Sequence, residues 1–74
     1  MPNGWGGNLK EIRMEADISQ AKLAEIARLS YSTISRLERG RTQPSKVTKR
    51  KILKALNQIS PKKYKFEDIF PEEE

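Results

Sequence analysis

Apolar residues recur along this chain at three- and four-residue spacings, and no run alternates long enough to make a convincing strand. Leu9 and Ile12 open the pattern, and Leu23 with Ala27, then Ile34 with Leu37, continue it. Ile52, Ala55, Leu56 and Ile59 form a longer stripe, and Phe66, Ile69 and Phe70 the last one. The spacing predicts helices over about 8–16, 20–27, 31–39 and 46–57. A short turn or helix should restart at Ser60-Pro61, because Pro suits a first helical position. The implied architecture is a compact all-α fold of five helices. Its predicted core is Leu9, Ile12, Ile18, Leu23, Ala27, Leu29, Ile34, Leu37, Ile52, Leu56, Ile69 and Phe70. Ala24 marks a close helix crossing, where a larger side chain would push the partners apart. An interior of this size fills a miniature fold and leaves no buried ligand cavity.

Local signals punctuate the pattern. Asn8-Leu9-Lys10-Glu11 reads as a capping box for the first helix. Asp17 fits the turn after it, since Asp tolerates a left-handed backbone better than most residues. Ile18-Ser19 and Leu29-Ser30 then repeat one device. A Ser hydroxyl takes an orphan N–H, and the apolar residue before it staples onto Leu23 or Ile34 in the next helix. Gly40 stands where a left-handed C-terminal residue belongs, Pro44 breaks the following loop, and Ser45 caps the fourth helix. Two capped helices joined by so tight a turn, over 19–40, suggest a helix-turn-helix, whose second helix can enter a DNA major groove.

Composition narrows the chemistry. The 74 residues contain no Cys and no His, which removes disulfides, thiolate nucleophiles, imidazole bases and the usual zinc sites. Neither a cofactor nor a metal is expected. No apolar run approaches a membrane span, and the start MPNGWGG lacks a signal peptide's basic and apolar regions. A soluble, cytoplasmic protein is the expectation. Residues 1–7 read as a flexible Gly-rich arm carrying Trp5, residues 8–71 as the domain, and 72–74 as an acidic end. Net charge is +5, but five of the ten acids lie in the last eight residues. Before them, fifteen Lys and Arg face five acids, a local charge of +10. A body that basic attracts polyanions with strongly salt-dependent binding.

The residues also resemble a known family. Gln20-x-x-Leu23-Ala24, followed by Ser30-x-Ser32-Thr33-Ile34-Ser35-x-Leu37-Glu38-x-Gly40, looks like the Cro and lambda-repressor-type (Xre) helix-turn-helix. Pro44, Thr48-x-x-x-Ile52-x-x-Ala55-Leu56 and the closing Asp68-Ile69-Phe70 extend the likeness over about 8–71. One position departs from it: the turn usually has Gly where this chain has Arg28. The family pattern pairs an arginine of the first helix with a glutamate ending the third, here Arg13 and Glu38. The resemblance implies a partly buried structural ion pair; two unrelated exposed charges are the alternative.

With Ser30 as the cap, Leu29, Ile34 and Leu37 face inward, and Tyr31, Ser32, Ser35 and Arg36 lie on the other side. By resemblance, Tyr31, Ser32 and Arg36 hold the family's base-contact positions. A guanidinium at Arg36 can grip guanine O6 and N7 together, or otherwise meet a phosphate. Tyr31 can donate a hydrogen bond or cover a thymine methyl, and Ser32 specifies weakly. Gln20 and the N–H groups capped by Ser19 match the family's backbone clamp, and a helix N-terminus suits an anion in any case. Arg39, Arg41, Thr42, Gln43 and Lys46 are expected to grip the next stretch of backbone. Lys49, Arg50, Lys51 and Lys54 spread around more than half of the fourth helix, so most of them form a solvated face.

These expectations converge on a small sequence-specific regulator of transcription, foremost a repressor, that binds double-stranded DNA as a homodimer on a pseudo-palindrome. With no ligand-sensing segment after the helix-turn-helix, control by concentration or a partner is expected. A rival keeps the fold as an antitoxin or restriction-modification controller, using a protein partner at the Tyr64–Phe70 stripe and acidic end. Another is an interaction module that has lost DNA binding. An enzyme is the weakest reading, since no carboxylate pair or Lys sits in an evident pocket.

Overall fold

The computed structural model describes residues 7–71; residues 1–6 of the arm, with Trp5, and the acidic end 72–74 lie outside the described residues. Five helices follow in order: α1 (Leu9–Glu15), α2 (Gln20–Ala27), α3 (Tyr31–Glu38), α4 (Lys46–Ile59) and α5 (Phe66–Ile69). No strand occurs among the described residues. Serine caps three of the helices as predicted: the Oγ atoms of Ser19, Ser30 and Ser45 accept the N–H groups of Lys22, Thr33 and Thr48.

The helix ends are as regular as the starts. Asp17, Arg28 and Gly40 all have left-handed φ, at 62°, 61° and 71°. After each, the next N–H reaches five residues back: Ile18 to the Arg13 carbonyl, Leu29 to Ala24, Arg41 to Arg36. Each left-handed residue also donates three residues back, to Met14, Glu25 and Leu37. One αL termination is thus used three times, and twice it is followed directly by an apolar residue and a serine cap.

Leu9, Leu23, Ile34, Leu37, Ile52, Leu56 and Ile69 are fully buried and form the centre of the core. Each contributes about 1.5–3 kcal/mol of apolar burial before chain entropy is counted. Ala24, Ala27 and Ala55 are buried too, and α2 packs against both α3 and α4. Ile18 and Leu29 are only partly buried and pack against the edge of this cluster.

Two local expectations are corrected. Asn8 does not cap α1: its side chain donates to the Asp68 carbonyl at 3.1 Å and its N–H to that of Ile69 at 2.8 Å. The long-range partner displaces the local one, and the chain's two ends are tied together. Gly7 joins this tie, since a Cβ there would come within 2.4 Å of the Ile69 carbonyl. Second, α4 runs past Asn57 to Ile59, and the Asn57 amide pairs with the returning chain instead of ending the helix. It accepts from the Tyr64 N–H at 2.7 Å and donates to the Tyr64 carbonyl at 3.0 Å. Of the turn or helix expected at Ser60-Pro61, the chain takes the turn, a bend over 60–62; α5 starts at Phe66, where Asp68 accepts the Lys65 N–H at 2.8 Å.

The Tyr64–Phe70 stripe is largely consumed by folding. Ile69 and Phe70 are buried, while Tyr64 and Phe66 are partly buried against the core. Lys49 lies over the rings of Phe66 and Phe70, at 5.8 and 5.5 Å, leaving Arg50, Lys51 and Lys54 exposed together on α4. Among the described residues, no helix is long and apolar enough to cross a membrane.

Candidate nucleic-acid interface

The turn between α2 and α3 fixes how α3 is presented. Arg28 occupies it with φ 61° and ψ 44°, and its side chain is exposed. A side chain in this region carries a cost on the order of 1 kcal/mol that glycine avoids. Arg28→Gly is therefore expected to raise stability by up to about 0.5 kcal/mol after the added unfolded-state freedom is subtracted. Urea denaturation reads the difference directly; a loss of stability would mean that the arginine side chain offsets its own backbone strain.

On α3, Ile34 and Leu37 are wholly buried while Tyr31 is 57% exposed. Ser32 and Arg36 are exposed as well, and Ser35 is partly so. Tyr31 with Ser35, and Ser32 with Arg36, are four-residue neighbours, so the four make two adjacent ridges on one face. None of these side chains makes a hydrogen bond or ion pair among the described residues. The face is polar, cationic at Arg36, and free to meet a partner.

The base of this unit is a buried polar cluster. Glu38, at the end of α3, has a side chain only 2% exposed, and Arg13 of α1 is 12% exposed. The guanidinium grips the carboxylate twice, Nε to Oε2 at 2.5 Å and Nη2 to Oε1 at 3.0 Å. Its remaining Nη1 donates to the Ile18 carbonyl at 2.7 Å, just before the Ser19 cap. Gln20, the first residue of α2, also donates its amide Nε2 to Glu38 Oε1, at 3.0 Å. Sequence reasoning missed this bond. The signal was the carboxylate itself, whose two oxygens have capacity beyond one arginine when buried. Every buried side-chain polar atom among the described residues has a partner.

The remaining predicted residues lie at the start of α2 and in and after the turn that follows α3. Ser19 is exposed and Gln20 partly buried, at the N-terminus of α2. Arg39, Arg41, Gln43 and Lys46 are exposed, Thr42 is partly buried, and buried Pro44 anchors their loop. Val47, 61% exposed beside Lys46, is an apolar surface position that the sequence reading did not single out. Among the described residues, no His, Cys, Asp or Glu cluster could hold a metal ion.

Capped α2, left-handed turn, capped α3 and a polar outer face together make a helix-turn-helix, and the sequence profile described as "Helix-turn-helix" matches residues 9–63. The chain belongs to this family, of the Xre and Cro type. No curated protein matches the chain. The helix-turn-helix family is one of DNA-binding regulators, and the five-helix arrangement found here agrees with it.

Proposed function

We propose that this helix-turn-helix protein binds double-stranded DNA sequence-specifically, with α3 in the major groove, and regulates transcription as a homodimer, most simply as a repressor. The observation that carries the reading is the α3 face, where Tyr31, Ser32, Ser35 and Arg36 stand outside a helix whose opposite side is wholly buried. Arg36 reads guanine, Tyr31 a hydrogen-bond acceptor or thymine methyl, and the serines make adaptable contacts. Ser19 and Gln20 meet one phosphate stretch, and Arg39, Arg41, Thr42, Gln43 and Lys46 the next. These contacts set register and carry little sequence information. One α3 spans few base pairs, so two-fold pairing doubles the readout and places half-sites roughly 34 Å apart. Occlusion of a promoter by such a dimer is sufficient for repression.

Selection of bound duplexes from a random DNA pool, for the protein and for Arg36→Ala, tests this. The protein should enrich an inverted repeat with half-sites one turn apart. The variant should lose about 1–3 kcal/mol of discrimination at a single base pair in each half-site. Salt-sensitive binding with no enriched sequence would overturn the reading and favour a protein partner.

A further inference from the structure

Gln20 has two tasks that compete for one amide. Its place at the start of α2 faces it toward a DNA backbone in the reading above, on which this inference rests. Yet its Nε2 already donates to buried Glu38, at 3.0 Å. The two are compatible because an amide nitrogen carries two hydrogens, and only one is used by the carboxylate. A carboxylate can only accept, so it forces the Gln20 amide to turn its nitrogen, and not its oxygen, toward Glu38. Arg13 holds Glu38 in turn, and through Ile18 holds the chain entering α2.

We propose that Glu38 is a positioning residue for DNA-backbone recognition: its carboxylate locks the Gln20 amide so that α2 offers a phosphate an N–H donor and withholds the carbonyl. Glu38 itself is buried and touches no DNA. Glu38→Gln keeps the shape but supplies a donor as well as an acceptor, so the Gln20 amide is free to rotate. In the flipped orientation the Gln20 oxygen meets the phosphate, and oxygen against oxygen repels.

The test is a double-mutant cycle on affinity for the duplex selected by the wild-type protein, read alongside stability in urea. Gln20→Ala and Glu38→Gln should each weaken binding of the dimer by about a hundredfold, about tenfold for the one hydrogen bond to a charged group lost in each protomer. Glu38→Gln should add nothing in the Gln20→Ala background. Both effects should vanish when the contacted phosphate is replaced by a neutral methylphosphonate, a readout that a merely structural role would not move. Should Glu38→Gln fold poorly, Arg13→Met with Glu38→Leu removes the same lock without leaving a buried charge, and the same loss per protomer is expected. Independent, additive effects, or wild-type binding by Gln20→Ala, would overturn the proposal. If Arg36→Ala still loses readout at one base pair, the DNA-binding reading survives that outcome. A wild-type protein that enriches no duplex overturns both.

Discussion

Arg13→Met is expected to cost the fold about 3–5 kcal/mol, because it strands a carboxylate that is almost wholly out of water. Glu38 is 2% exposed, and of its three hydrogen bonds the two from Arg13 disappear. Only the neutral Gln20 amide remains to balance the charge. A domain of this length holds roughly 4–11 kcal/mol in all, so the variant should lose from about a quarter to all of its stability. Removing both charges, as Arg13→Met with Glu38→Leu, should recover most of the loss, since an apolar pair avoids the desolvation cost. Chemical denaturation of the three proteins decides the matter. A single-mutant cost under about 1 kcal/mol would show that water reaches Glu38 and that the pair behaves like an exposed one.

Salt should have the other large effect, this time on binding. Arg39, Arg41 and Lys46 are all exposed, and the proposed homodimer would present each of them twice. If each neutralises one phosphate, affinity should fall about a thousandfold between roughly 50 and 200 mM salt. On the proposed reading Arg41→Ala would remove one phosphate contact from each protomer, and it should make the log–log slope shallower by about 2 while leaving the preferred sequence unchanged. Arg36→Ala should alter the preferred sequence instead. A slope near zero would mean that these cations do not lie on DNA, whatever the rest of the surface does.

Most of the fold was legible because its determinants are local. Ser19, Ser30 and Ser45 announce their helices through bonds to the residue three ahead, and Asp17 and Gly40 through their backbone tolerance. Arg28 was legible only as a departure from the family pattern, and its left-handed φ gives the physical reason that glycine is usual there. What the sequence hid has partners far along the chain. Asn8 looks like a cap until Asp68 and Ile69, sixty residues away, take its donors. Asn57 looks like a helix end until Tyr64 returns to meet its amide. The same holds at the interface. Which α3 residues face outward follows from periodicity, whereas the link from Gln20 to Glu38 exists only once α2 and α3 have packed.

The four outward side chains of α3 have a consequence for how such a protein changes over generations. Tyr31, Ser32, Ser35 and Arg36 hold nothing within the domain, while the angle of α3 is set by backbone bonds at Arg28 and Leu29 and by the buried Ile34 and Leu37. Exchanging the four among helix-compatible residues should therefore move stability by no more than about 0.5 kcal/mol each. If α3 reads DNA as proposed, preference for one operator over another is written on a surface that folding does not inspect. New specificities can be sampled by single substitutions, each arriving in a protein that is already folded.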